Sequence, residues 1–216
     1  MELQFSLTAK VAGHIRRMIE LRILRPGDTV PLEQIEKDLS VSRTPAREAI
    51  RQLELEHLVA IEPGRGAYVS LITESDFTDL YTLRIHLEAQ AVRIAAGSIS
   101  DYDLHLLGLN LEEFEEQFGV SERLTLLDRQ FHNTIIEACG NRYVEKALKS
   151  LRIRMGLLRR PAYQNSERTK YTLSEHKEIL KHLSARDADL AENAMRTHIQ
   201  NAWTERISQE GYEGTA

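Results

Sequence analysis

Between Ser40 and Ser70 the chain reads SVSRTPAREAIRQLELEHLVAIEPGRGAYVS, and few folds accommodate that order of signals. Ser42 and Thr44 are both good helix N-caps, and Pro45 is tolerated only in a first turn, so a helix begins here. Ala46, Ala49, Ile50 and Leu53 recur at helical spacing and form one apolar face. Arg43, Arg47 and Arg51 step by four and form a separate basic stripe. Leu58, Val59 and Ile61 are strand-like, Pro63-Gly64-Arg65-Gly66 turns the chain, and Tyr68 and Val69 return it. Turn, basic helix and glycine-tipped hairpin, in that order, make the reading half of a winged helix-turn-helix. A guanidinium fork fits the O6/N7 edge of guanine, so the stripe suits bases as well as phosphates. Arg65 sits where a wing enters the neighbouring minor groove. The competing reading is a surface helix whose arginines are merely solvated.

Upstream, Leu7 to Leu24 predicts an amphipathic helix with Val11, Ile15, Met18 and Ile19 inward, ended by Arg25-Pro26-Gly27-Asp28. Leu32, Ile35 and Leu39 mark the next helix, and Ser40-Val41-Ser42 the turn after it. With VSRTPAREAI and the PGRGAYV wing, this segment resembles the GntR family of bacterial transcription regulators over about the first 70 residues. The resemblance implies that Arg43 and Arg47 contact operator bases or phosphates and that Gly66 lies in the minor groove. Thr44, Arg51 and Arg65 complete the candidate DNA-contacting set. Two positions depart from the family pattern. Glu33 stands where many members carry an arginine, which implies a different or weaker contact there. Ser40 stands where a glycine is usual, and is expected to be nearly neutral.

The chain has 216 residues, enough for two small domains, with 42% hydrophobic and 28% charged residues. No apolar run approaches membrane-spanning length and no signal-peptide pattern opens the chain, so a cytoplasmic protein without a membrane partner is expected, nucleoid-associated when on DNA. The single cysteine, Cys139, excludes an internal disulfide and reads as a small apolar helix residue. Net charge is −5, but residues 1–70 hold 10 Lys+Arg and 10 Asp+Glu, whereas the remainder holds 18 and 23. All the excess acid therefore lies beyond the basic stripe, where it keeps the second domain off the phosphates.

That second domain reads as entirely helical. Helices are predicted over 76–96 (Leu80, Leu83, Leu87, Ala91 and Ile94 inward), from Ser100 to Gly119 (Leu104, Leu107, Leu111, Phe114 and Phe118 inward), and over 121–139, 142–160, 172–183 and 187–207. The fold class is thus mainly α: a winged helix-turn-helix (1–72), an all-α antiparallel bundle (76–208), and a flexible tail (209–216).

One constellation in the bundle carries chemistry. Asp128 and His132 lie at i and i+4 on one helix, His176 opens a later helix, and His198 lies in the last. A carboxylate and three imidazoles suit Zn, Ni, Mn or Fe and leave room for a further ligand, although each alone is more often a solvated or hydrogen-bonded side chain. His14, His57, His86, His105 and His182 read as ordinary; His182 is six residues past His176, about 240° round the helix. Leu83-Arg84 through Glu88, Asp128-Arg129-Gln130-Phe131-His132, Gly140-Asn141, Glu175-His176-Lys177-Glu178-Ile179-Leu180 and Met195-Arg196-Thr197-His198-Ile199 resemble the FCD ligand-binding domain of the FadR-type GntR subfamily. The resemblance implies that Asp128, His132, His176 and His198 hold a divalent metal. It also implies that a small carboxylic or sugar acid binds beside the metal, paired with Arg84. The alternative for Arg84 is a surface ion pair with Glu88. Arg152 and Arg154 are further candidates for the effector.

The resulting expectation is a homodimeric regulator, a repressor by the commoner arrangement. It binds double-stranded palindromic operator DNA and is controlled by that effector. Two alternatives stand beside it: a metalloenzyme using the Asp/His site, and a regulator whose histidines need no metal.

Overall fold

The computed structural model describes residues 6–157, 163 and 166–210. Its elements are α1 (Leu7–Glu20), α2 (Leu32–Leu39), α3 (Arg43–Leu55), β1 (Val59–Glu62), β2 (Gly66–Val69), α4 (Glu74–Ser98), α5 (Asp101–Glu116), α6 (Ser121–Ala138), α7 (Arg142–Met155), α8 (Ser166–Ser184) and α9 (Ala188–Glu210). The architecture is mainly helical, with a two-stranded antiparallel wing after three short helices, as the sequence predicts. The chain divides into two units, Met1–Asp76 with Ser150–Arg159, and Phe77–Lys149 with Arg160–Ala216.

In the first unit Ser6 caps α1, its hydroxyl accepting the Ala9 N–H. Val11, Ala12, Ile15 and Ile19 are buried, and Met18 packs against them half-buried. The helix stops at Glu20, short of the expected Leu24. Arg22 turns left-handed (φ 55°), and the Leu21, Ile23 and Leu24 amides bond back to the carbonyls of Arg17 and Met18. That closure carries Leu24 into the core. α3 starts after Ser42, which leaves Pro45 in its first turn, and buries Ala46, Ala49, Ile50 and Leu53 as predicted. Each large aliphatic side chain so buried contributes on the order of 1.5–3 kcal/mol. In the wing Val59 pairs with Val69 and Glu62 with Gly66. Gly64 and Gly66 take φ 83° and 86°, values open to glycine and strained for other residues. Ile153 and Leu157, from the end of α7 and just beyond it, also pack into this core.

The second unit departs from the predicted faces at two leucine-spaced positions. Leu83 is half exposed and Phe118 lies exposed beyond α5, whereas Leu80, Ala91, Leu107, Leu111 and Phe114 are buried. The buried face of α4 runs through Phe77, Tyr81, Glu88, Ala89, Val92, Ala95 and Ala96. Alanines and one carboxylate carry much of it, and a stripe drawn through the leucines meets it at Leu80 and Ala91 but not at Leu83. Other boundaries shift as well. α7 ends at Met155, before the expected Arg160, where the Gly156 amide bonds to the Arg152 carbonyl. Residues 158–160 lie outside the described residues. α8 begins at Ser166, six residues before the expected start, so His176 sits in mid-helix rather than opening one. α9 continues to Glu210, so Gln209 and Glu210 are helical, and the rest of the expected tail lies outside the described residues. No helix among the described residues is long and apolar enough to cross a membrane.

One expectation is overturned in the turn between α2 and α3. Ser40 adopts φ 54°, ψ 47°, the left-handed conformation, as the C-cap of α2. A non-glycine residue there costs about 1–2 kcal/mol, which glycine avoids while losing more entropy on folding. The position is therefore not neutral. Ser40→Gly is expected to stabilise the N-terminal unit by roughly 0.5–1 kcal/mol, read as a higher denaturation midpoint in urea. An unchanged or lower midpoint contradicts this.

Candidate metal centre and DNA-reading face

Asp128 and His132 project one turn apart from α6, His176 from α8 and His198 from α9. One donor atom of each lies within 4.8 Å of every other. The Nε2 atoms of His132 and His176 each lie 3.2 Å from Nε2 of His198. Asp128 Oδ1 is 3.7 Å from His132 Nε2 and 3.6 Å from His176 Nε2. The three imidazoles are buried and the carboxylate is half-buried.

Two carboxylates fix how the imidazoles face. Glu88 Oε2 lies 2.5 Å from His132 Nδ1, and Glu175 Oε2 lies 2.8 Å from His198 Nδ1. With the Nδ1–H groups donating to these carboxylates, both Nε2 atoms are acceptors. Two lone pairs then face each other at 3.2 Å in a water-poor core. That contact is repulsive unless a proton or a metal ion stands between them. Imidazoles bound at about 2.0–2.1 Å to one tetrahedral ion hold their nitrogens roughly 3.3 Å apart, so the observed spacing fits a shared metal. Among the described residues His176 has no such carboxylate and its buried Nδ1 no hydrogen-bond partner, and its ring stacks on Phe131 at 4.1 Å. Burial, with His198 and His132 beside it, holds its pKa well below the ordinary imidazole value, leaving it neutral and able to ligate.

The outer carboxylates are themselves held. Burial opposes ionisation of Glu88, but the charge of Arg84 and the contact with His132 win, and its pKa lies well below the usual range. Arg84 Nε donates to Glu88 Oε1 at 2.6 Å. Burial also opposes ionisation of Glu175, yet hydrogen bonds from His198, Arg168 and Asn201 bring it down to about 2. Arg168 forks onto Glu175 at 2.8 and 2.9 Å and reaches Glu205 at 3.0 Å. The Tyr163 hydroxyl hydrogen-bonds to Asp128. The sequence singles out Arg84 and the quartet but not the roles of Glu88, Glu175, Arg168 and Tyr163. Glu88, Glu175 and Tyr163 each act on a residue distant in sequence, which no local spacing marks; Arg168 forks onto Glu175 two turns along the same helix.

The two readings of Arg84 are compatible. The ion pair with Glu88 exists, but it is an interior one, since Glu88 is 2% exposed. Arg84 commits Nε to that pair, and among the described residues its terminal nitrogens make no hydrogen bond to another side chain. Arg152 and Arg154 lie half-buried on α7 within Ser150–Arg159, which groups with the first unit. Arg154 pairs there with Asp76 at 3.3 Å. His182 pairs with Glu178 at 2.9 Å, apart from the quartet, as its helical angle predicts.

On α3, Arg43, Thr44, Arg47 and Arg51 are exposed, and the three arginines make no ion pair among the described residues. Arg65 is instead folded back on the wing. It donates to the Gly27 carbonyl at 2.8 Å, stacks over the Tyr68 ring at 3.9 Å and faces Glu62 at 3.5 Å. Gly66 is exposed at the start of β2.

Comparison with known proteins agrees with both halves. Residues 7–69 match the gntR family of bacterial regulatory proteins, and residues 79–201 match the FCD domain. The chain is 31% identical over 214 residues to the Uxu operon transcriptional regulator of Escherichia coli K12, covering 89% of this chain and 83% of that protein. It is 29% identical over 177 residues to the Nta operon transcriptional regulator of Aminobacter aminovorans (82% and 83% covered). It is 27% identical over 191 residues to the transcriptional repressor RspR of E. coli K12 (86% and 82%). Among solved structures, E. coli McbR/YncC superposes with TM-score 0.80 at 21% identity, covering 95% of this chain and 99% of that one. A putative GntR regulator from Rhodococcus sp. RHA1 gives 0.75 at 25% identity (94% and 99%).

Glu175→Gln is expected to weaken zinc binding about 10–100-fold, since His198 loses its charged anchor. Asp128→Asn is expected to weaken it further by removing a ligand charge. Competition with a chromophoric chelator measures both, and equal affinity of both variants and the parent refutes the site.

Proposed function

The chain belongs to the GntR family of bacterial transcription regulators and carries an FCD domain, and from that premise we propose a metal-dependent, effector-controlled repressor. It is a DNA-binding transcription regulator and not an enzyme, as its relatives and domains are. The proposal concerns what lies beyond that. Two copies bind a palindromic operator, and Asp128, His132, His176 and His198 of each copy hold one divalent cation, such as Zn, Ni, Mn or Fe. A small organic or sugar acid binds beside it. The observation that carries this reading is the pair of imidazole lone pairs held face to face by Glu88 and Glu175.

Asp128 and the three imidazoles would leave a divalent ion an open coordination position, which a carboxylate effector fills. Arg84 offsets Glu88 through Nε, and its terminal nitrogens are available to pair with that carboxylate through a charge-assisted fork. The effector reading rests on Arg84; Arg152 groups with the other unit. Binding in this pocket shifts the bundle between two packings and changes the spacing of the paired reading heads on the operator. It does so only as far as the effector's affinities for the two packings differ. In the reading head Arg43, Thr44, Arg47 and Arg51 meet the major groove, and Arg65 with Gly66 meets the minor groove.

Native mass spectrometry of untagged, gently purified protein tests the assembly. A dimer carrying one metal per subunit is expected. Metal-free protein whose melting temperature does not rise with added Zn or Ni refutes the metal while leaving the DNA-binding assignment. On DNA, Arg43→Ala is expected to weaken specific binding by roughly 1–3 kcal/mol if it forks to guanine. Fluorescence anisotropy with operator and random duplexes decides this, because an equal loss on both shows that Arg43 holds phosphate only.

A further inference from the structure

Three of the four donors in the quartet are gripped from behind by a group on another element. Glu88 of α4 holds His132 of α6, and Glu175 of α8 holds His198 of α9. Asp128 is gripped by Tyr163, which lies between α7 and α8. From this geometry we infer that Tyr163 is a positioning residue for Asp128, its phenol orienting the one carboxylate of the quartet toward the metal. The inference rests on the metal-binding reading above.

Several observations support it. Asp128 is only half-buried, and unlike Glu88 and Glu175 it makes no hydrogen bond to an arginine among the described residues. Without a donor behind it, its carboxylate is free to swing toward solvent. Its Oδ1 instead faces the Nε2 atoms of both His132 and His176. Tyr163 reaches it at a conformational cost. Its φ is 62°, left-handed for a side chain with a Cβ, and such a backbone persists only where its surroundings fix it. The fixing contacts are the hydroxyl on Asp128 and an edge-on meeting with Phe114 at 5.6 Å. Phe114 in turn meets the His176 ring at 6.0 Å, so the tyrosine belongs to the aromatic wall of the centre. Sequence spacing gave no hint of this, because Tyr163 lies 35 positions from Asp128 in the numbering and outside any helix.

Tyr163→Phe isolates the hydroxyl, because it keeps the ring and its contact with Phe114. Zinc affinity of the metal-free full chain is measured by chelator competition, and cobalt(II) is added separately for its visible ligand-field spectrum. The expected result is a roughly tenfold weaker zinc affinity with a shifted cobalt spectrum and an unchanged far-ultraviolet circular dichroism spectrum. Tyr163→Phe that binds zinc as tightly as the parent, with the same cobalt spectrum, overturns the inference. A parent protein that retains neither zinc nor cobalt fails at the metal reading itself, a result distinct from the variant's, and removes the inference with it.

Discussion

Three imidazoles and a carboxylate inside a helical core pose a solvation problem that shapes the second unit. Polar groups taken from water cost free energy unless they are hydrogen-bonded. The chain meets that cost with layers of alternating charge. Arg84 backs Glu88 and Glu88 backs His132; Arg168 backs Glu175 and Glu175 backs His198. Each layer makes the next inner one tolerable, and each comes from a different position in the chain. Among the described residues the layering ends at the Nε2 atoms, which meet one another and Asp128. On the metal-binding proposal a cation completes that sequence of charges.

The same layering explains what the amino-acid pattern shows and what it hides. Asp128 and His132 stand one turn apart, and helical periodicity puts them on one face, so they can be found by spacing. His176 and His198 are drawn in as further imidazoles on later helices, the family resemblance strengthens the set, and the fold brings all four together. Glu88 and Glu175 do not announce themselves. Glu175 precedes His176 yet serves His198, 23 positions on, and Glu88 serves His132, 44 positions on. Such pairings are decided by helix packing, which a local period does not encode. Leu83 is misassigned for a related reason: alanines and Glu88 make much of the α4 interior, where a hydrophobic pattern looks for leucine.

The reading head was the more transparent half. Ala46, Ala49, Ile50 and Leu53 fill the core from one side of α3, leaving Arg43, Arg47 and Arg51 on the other. Small residues at two of those four buried positions suit close packing against neighbouring helices. Ser40 shows the limit of residue-type reasoning, since its cost comes from a backbone angle that composition does not reveal.

The proposed entry of Arg65 into the minor groove has to compete with contacts it already holds. Its guanidinium already has a carbonyl, an aromatic face and a carboxylate for company. A groove that draws it outward must offer a deeper electrostatic well than those three neighbours together. Narrow A·T-rich minor grooves carry enhanced negative potential and wider ones do not. On the proposal that Arg65 enters the minor groove, the folded-back arginine would act as a threshold, extending only where the shape of the helix concentrates charge.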